Sequence, residues 1–434
     1  MTLADRAIQP TFAEALRFWL KLGFISFGGP AGQIAIMHTE LVEKKKWISD
    51  PAFLQALNFC MLLPGPEAQQ LATYLGWRLH GLKGGIAAGS LFFLPAALIL
   101  WALSWAYMAF GEWPAVSAIF YGLQIAVLAI VAAAVLRIGK KALKNSTLVI
   151  VAGLAFTALL VLKLPFVLVI LGAALIGGLG HRLAPSKFSA SSGHGAGPVI
   201  DSKDRPRPQH LLWQNTLITV LVALIIWWVP LICVGYLMGW HSIWFQQGLF
   251  FSKSALITFG GAYSVLPYVA EQAVEQYAWL NTAQMVSGLG LAETTPGPLI
   301  MVLQFLGFVG AWQHPGALSP LLAATLGAAV STWSTFMPSF LFIFSGAPYM
   351  ERLQTIPALN AALSTLTAAV VGVILNLAVW LGWHTLMPEN GPFDVFALTV
   401  ALVMFGGIQF WKWNLIAVVG AGGLLGLLGV CWGC

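Results

Sequence analysis

The sequence predicts an all-α polytopic membrane protein built from two homologous halves of inverted topology. Each half is expected to hold two broken-helix hairpins and about four full spans, with a linker span joining the halves. Three observations predict this architecture. First, 59% of the 434 residues are hydrophobic and 8% are charged, whereas soluble domains carry about 25% charged residues. The apolar residues form long runs, not the alternating ten-residue strands of a transmembrane β-barrel. Second, an ungapped offset of 232 brings Pro64, Gly65 and Pro66 onto Pro296, Gly297 and Pro298, and Phe27, Gly28 and Gly29 onto Phe259, Gly260 and Gly261. Lys21 and Lys253, Glu43 and Glu275, and Trp47 and Trp279 also coincide. One offset linking two breaker motifs marks a duplication. Third, equivalent loops differ in charge. "TELVEKKKWISD" holds Lys44, Lys45 and Lys46, while its counterpart "AEQAVEQYAWLN" has two glutamates and neither Lys nor Arg. Arg78, His80 and Lys83 follow the first Pro-Gly-Pro, and the uncharged "GAWQHPGAL" follows the second. Positive loops stay in the cytoplasm, so the halves are expected to be inverted, as in many secondary transporters.

Each element follows in order. The first ten residues, "MTLADRAIQP", have no apolar core, so no cleaved signal peptide is expected. The first repeat is placed at 11–182. Its segments 11–46 and 51–77 are flanked by basic residues on both sides and read as hairpins turning at "FGGP" and "PGP". Their arms would be about 16 to 20 residues, or roughly 24–30 Å; arms that each cross fully would fit the same charges. Ordinary spans follow near 86–110, 115–136, 146–162 and 165–180. Arg137, Lys140, Lys141 and Lys144 mark a cytoplasmic turn. Residues 183–210 form a basic, breaker-rich cytoplasmic linker, and 211–239 a linking transmembrane helix. The inverted second repeat occupies 243–434, with spans near 317–345, 357–382, 393–410 and 413–431. Arg352 and Lys412 fall at inside turns and "HTLMPENGPFD" falls outside. Trp227, Trp228, Trp240, Trp244, Trp411 and Trp413 suit an interfacial aromatic belt. Cys60 and Cys233 read as packing residues, while Cys431 and Cys434 lack the companion ligands of a metal site. The net charge of +6 lies at the ends of apolar runs and is no nucleic-acid footprint.

Backbone freed at mid-membrane must be satisfied by protein or by a water-lined cavity. A helix restarting after Gly-Gly-Pro or Pro-Gly-Pro offers unpaired N–H groups and an effective charge of roughly +0.5, which suits an anion. Proline fits the first turn of such a helix, so Pro30, Pro64, Pro66, Pro296 and Pro298 are assigned to the breaks. The candidate anion ligands are Lys21, Ser26, Gly28, Gly29, Gln33, Gly65 and Gln70 in the first half. Lys253, Thr258, Gly260, Gly261, Thr295 and Gly297 are their candidates in the second. Lys21 and Lys253 could equally snorkel to the interface. Glu67 and Glu293 stand beside the breaks without being equivalent under the offset. Burial favours the neutral, proton-carrying form of a carboxyl, so either could carry a coupling proton; helix-end caps are the plainer alternative. Gln69, Thr294 and Gln304 offer further neutral hydrogen bonds, and His38 reads as interfacial.

At these motifs the chain resembles the chromate ion transporter family in its two-domain form. The resembling text is "FGGPAGQIAIMHTELVEKKKWI" and "LNFCMLLPGPEAQQLATYLGWRLHGLKGG", echoed by "ITFGGAYSVLPYVAEQAVEQYAWL" and "ETTPGPL". The resemblance implies a multi-pass exporter of chromate in the bacterial inner membrane, N-terminus cytoplasmic, driven by the proton motive force. It implies chromate, protons and the lipid bilayer as partners, with sulfate and a homodimer left open, and no cofactor, metal or nucleic acid. The family motif falls on Phe27, Gly28, Gly29, Pro30, Gln33, Pro64, Gly65, Pro66, Glu67 and Gln70. The second half lacks the Pro after Gly-Gly, the Gln, and the Glu after Pro-Gly-Pro, so the first half is expected to dominate the site. A sulfate permease or an anion channel on the same scaffold is the alternative. An intramembrane enzyme would need grouped His and Asp, and the eight histidines are scattered.

Overall fold

The computed structural model describes residues 9–183, 209–354, 356–387 and 392–431. The expected linker at 183–210 lies almost wholly outside the described residues, as do Cys434, the side chains of Arg352 and Cys431, and part of "HTLMPENGPFD". All regular structure among the described residues is helical. The first half runs α1 (Phe12–Ile25), α2 (Gly29–His38), a π-helical turn (Thr39–Lys44), α3 (Asp50–Cys60), α4 (Glu67–Phe110), α5 (Pro114–Ala142), α6 (Ser146–Leu160) and α7 (Phe166–Leu183). After α8 (Gln209–Met238), the second half runs α9 (Ile243–Ile257), a 3₁₀ turn (Ala262–Ser264), α10 (Leu266–Ala270), a π-helical turn (Glu271–Gln276) and α11 (Thr282–Thr294). A 3₁₀ turn (Leu299–Met301), α12 (Val302–Gln313), α13 (Pro320–Gly346), α14 (Met350–Gln354), α15 (Pro357–Leu386), α16 (Val395–Phe410) and α17 (Leu415–Cys431) complete it.

The duplication read from sequence is present in the backbone. The two π-helical turns lie at the same offset of 232. Lys46 and Ala278, again equivalent, are both left-handed at φ 52° and 50°. The Trp47 N–H donates to Leu41 O, and the Trp279 N–H to Ala273 O, each at 2.9 Å. Local signals start the helices in both copies: Thr11 and Glu14 form a capping box on α1, Asn281 and Gln284 another on α11.

Two of the hairpin arms are shorter than expected. α1 and α3 have 14 and 11 residues, or roughly 16–21 Å at 1.5 Å per residue, whereas the 10 residues of α2 run on into the six of the π-helical turn and reach the expected length. The arm after Pro66 continues as α4, which kinks at His80 and Gly81 before its long span. Among the described residues six helices are long and apolar enough to cross a membrane: α4, α5, α7, α8, α13 and α15. α6, α16 and α17 are apolar but shorter. α8 exposes Leu217, Ile218, Leu221, Val222 and Ile225, an apolar face that lipid covers. The protein is a multi-pass membrane protein.

The inversion is visible where homologous helices meet. Beyond the kink an offset of 243 relates "FLPA" at 93–96 to "FMPS" at 336–339. A Cβ on Gly85 would touch Phe344, and one on Gly89 would touch Phe340. Phe93 stacks on its own counterpart Phe336 at 4.1 Å with 2° between the rings, and Trp101 Nε1 donates to Thr325 Oγ1. Partner numbers fall as chain numbers rise, so α4 and α13 run antiparallel. A pseudo-two-fold axis passes between Phe93 and Phe336. The same symmetry pairs α5 with α17 and α15 with α7. Glycines bring the first of these pairs close, since a Cβ on Gly122 would stand 1.9 Å from Gly422 O.

Two sequence expectations are corrected by packing. Trp227 and Trp244 are buried, donating to Ser252 Oγ and Ala323 O, because α8 and α13 close over α9; Trp240, Trp411 and Trp413 stay exposed. Cys60 is buried as expected, whereas Cys233 faces outward on α8.

Candidate functional site

The breaks form where only glycine suits the backbone. Gly28 and Gly29 have φ of 88° and 67°, Gly260 and Gly261 of 73° and 94°, and Gly65 and Gly297 of 124° and 102°. These left-handed values cost little only without a Cβ. Pro30 then stands in the first turn of α2, and Pro66 caps α4.

The four breaks converge through reciprocal bonds between the halves. Gly65 N–H donates to Thr258 O, and Gly297 N–H donates to Ser26 O, both at 2.7 Å. Gly65 and Gly297, like Ser26 and Thr258, are equivalent at the offset of 232. Each Pro-Gly-Pro of one copy is thus tied to the residue before Phe-Gly-Gly of the other. The two Phe-Gly-Gly turns also meet, because a Cβ on Gly261 would lie 4.0 Å from the Pro30 ring.

This centre is polar and incompletely paired. Gln33 Nε2 donates to Gly297 O across the halves and lies 3.5 Å from Ser26 O. Gln70 Nε2 donates to Pro64 O at 2.7 Å. Both side chains are buried, and their Oε1 atoms have no partner; the buried Ser26 and Ser339 hydroxyls have none either. Ser339 Oγ stands 2.8 Å from where a Gly65 Cβ would be. Each unmet buried polar atom costs about 1–3 kcal/mol, so this group is built for water or a ligand. The equivalent of Gln33 is Val265 and that of Gln70 is Val302, leaving the second half with fewer polar side chains here. Thr258 and Thr295 spend their hydroxyls on Ser254 O and Ala292 O within their own chain segments. Gln69 bonds Thr73, Thr294 bonds Leu291 O and Gln304 bonds Ala97 O.

The charges divide into two groups. Glu67 opens α4 and is half-buried; Glu293, three residues before Pro296, is buried and accepts from the Tyr263 hydroxyl. One helix end serves both carboxyls. Arg137 of α5 stands near Tyr263 and Glu293, and Lys141, one turn on, near Glu67, without forming an ion pair with either carboxyl. Lys21 and Lys253 are not brought to the breaks. Both are exposed, Lys21 beside Glu40 and Lys253 with its Nζ 5.6 Å over the Tyr268 ring. Lys21→Ala and Lys253→Ala are therefore expected to leave anion binding at the breaks unchanged, as measured by equilibrium dialysis of the purified protein. His38 bridges Glu43 and Asp50 near Lys44–Lys46, away from the breaks. Among the described residues no group of three His, Cys, Asp or Glu could hold a metal.

Sequence reasoning missed Arg137, Tyr263 and Ser339. Arg137 reads as a loop marker because it sits among lysines. Tyr263 carried one usable signal, a hydroxyl two residues past Gly-Gly. Ser339 follows a proline that, like Pro95, interrupts a long helix, and a search at the second offset would have found it.

The Chromate transporter family profile matches residues 13–178 and 245–427, one stretch in each half. The chain belongs to the chromate transporter family. A chromate transport protein of Pseudomonas aeruginosa is 32% identical over 97% of this chain and 94% of its own length. One of Cupriavidus metallidurans is 30% identical over 96% and 93%. An uncharacterized transporter of Bacillus subtilis aligns over 89% of its own length but 36% of this chain, at 27% identity. A relative of about two-fifths this length, close to the stretch matched in one half, fits the duplication. No solved structure matches the chain.

Proposed function

We propose that this protein is a secondary active transporter that exports chromate across the bacterial inner membrane, coupled to the proton motive force. The observation that carries the reading is the reciprocal pair of bonds, Gly65 to Thr258 and Gly297 to Ser26, which gathers four helix breaks around unpaired buried polar atoms. Family membership and the names of the relatives supply chromate. Free amides at the restarted helices and the Ser26 and Ser339 hydroxyls bind the oxoanion; Glu67 and Glu293 carry protons. Rocking of one inverted half against the other exposes the centre alternately to each side. The N-terminus and Lys44–Lys46 face the cytoplasm. Arg137 and Lys141 draw anions from that side toward the centre.

In proteoliposomes, chromate should accumulate uphill when a pH gradient is imposed and stop accumulating when an ionophore collapses it. Flux that continues unchanged after collapse would identify a channel instead. Glu67→Gln is expected to weaken gradient-driven accumulation more than chromate binding; undiminished accumulation in that variant removes Glu67 from the proton role.

A further inference from the structure

The unpaired atoms at the breaks constrain the protonation state of the bound anion. Carbonyl oxygens fix the amide orientation of Gln33 and Gln70, since Nε2 of Gln33 faces Gly297 O and Nε2 of Gln70 faces Pro64 O. A carbonyl takes only a donor, so flipping either amide would break its bond. Gln69 is fixed likewise: its Nε2 donates to Thr73 Oγ1, whose own proton goes to Gln69 O. The three Oε1 atoms left over are buried acceptors without partners. A fully deprotonated tetrahedral dianion is made of acceptors alone. It can take bonds from the Ser26 and Ser339 hydroxyls and from free amides, but it has nothing to give an Oε1. Nor do the candidate lysines supply positive charge at the breaks, because Lys21 and Lys253 lie elsewhere, and the nearest cations, Arg137 and Lys141, stand toward the Glu293 and Glu67 carboxyls.

Chromate differs from sulfate in this respect. It takes up a proton near neutral pH, whereas sulfate does so only in strong acid. Resting on the reading that chromate is the substrate, we infer that the site binds the singly protonated oxoanion, hydrogen chromate. Its O–H donates to Gln33 or Gln70 Oε1, and its bare oxygens accept from Ser26, Ser339 and helix-start amides. A site with this mixture of donors and acceptors selects chromate over sulfate by the proton, where size and shape hardly distinguish them.

The titratable groups around the centre are Glu67 of α4 with Cys60 of α3 and Lys141 of α5 near it, and Glu293 of α11 with Tyr263 and Arg137. α1, α2, α9 and α13 contribute Ser26, Gln33, Thr258 and Ser339. The test is equilibrium dialysis of radiolabelled chromate against the full-length protein in detergent, from mildly acidic to mildly alkaline pH. Above the pH at which chromate loses its proton, the dissociation constant in total chromate should rise about tenfold per pH unit, the slope of one proton. Expressed in hydrogen chromate it should stay flat. The slope should persist in Glu67→Gln and Glu293→Gln, and sulfate should fail to compete at any pH. Binding independent of pH overturns the inference while leaving chromate transport intact. A slope abolished by either Gln variant overturns it too, by assigning the proton to the protein. Sulfate that competes as well as chromate on the unaltered protein overturns it without any variant. No chromate binding at any pH removes the transport reading and this inference with it.

Discussion

Gly297→Val should abolish gradient-driven chromate transport and lower the thermal unfolding midpoint. Gly297 has φ 102°, a region that costs a β-branched residue about 1–3 kcal/mol. Its added Cβ would stand 2.5 Å from the Ala96 Cβ on α4, and overpacking of this kind adds about 1–3 kcal/mol. Relief requires the Pro-Gly-Pro turn to move, which breaks the bond from Gly297 N–H to Ser26 O and the bond from Gln33 to Gly297 O. Both of these cross between the halves. Gly29→Ala is the control: its φ is 67° and no atom lies within 4 Å of an added Cβ, so only the left-handed cost of about 1–2 kcal/mol applies. Tryptophan fluorescence melts and vesicle transport of the two variants should separate clearly. Equal damage in both would mean that contact between the halves at Gly297 carries no special weight.

Arg137→Gln should lower the thermal unfolding midpoint, because Arg137 is the cation nearest the buried Glu293 and Tyr263 pair. Glu293 is buried with the Tyr263 hydroxyl as its hydrogen-bond donor, and Arg137 is the cation acting on both. Removing it leaves the carboxyl uncompensated. Adding Glu293→Gln should recover most of the stability, since the double variant buries neutral groups. Transport should stay impaired, because the carboxyl is then gone. Melting of the four proteins in one double-mutant cycle gives the coupling energy directly. An Arg137→Gln variant as stable as the parent would place Arg137 outside this cluster.

The fold was legible where the duplication left sequence marks. Phe-Gly-Gly, Pro-Gly-Pro and the lysines at 44–46 sufficed for the repeat, the inversion and the hairpins, because backbone breaks and loop charge are local signals. The arms α1 and α3 came out shorter than the apolar runs suggest because those runs continue past the helix ends into the breaks. Trp227 and Trp244 were misplaced because an aromatic residue near a helix end looks the same whether it faces lipid or a neighbouring helix. At the site, the glycines, Gln33 and Gln70 were foreseen from the breaks themselves. Ser339 and Tyr263 depend on which helix of the other copy crosses which break, and that follows from packing at the pseudo-two-fold axis. Spacing left Lys21 and Lys253 between the pocket and the interface, and their helix faces point them outward. The chromate name came from resemblance, since tetrahedral dianions look alike to a set of N–H donors.

Chromium scatters X-rays anomalously, so a crystal or crystalline bilayer preparation grown with chromate locates the substrate without assumption. A single strong anomalous peak is expected at the pseudo-two-fold centre, bounded by Pro30, Gly65, Gly261 and Gly297 and near enough for a chromate oxygen to accept from Ser26 or Ser339. A peak confined to the 230 Å³ surface pocket beside Lys163, Tyr268, Glu271 and Glu275, with the centre empty, would contradict it.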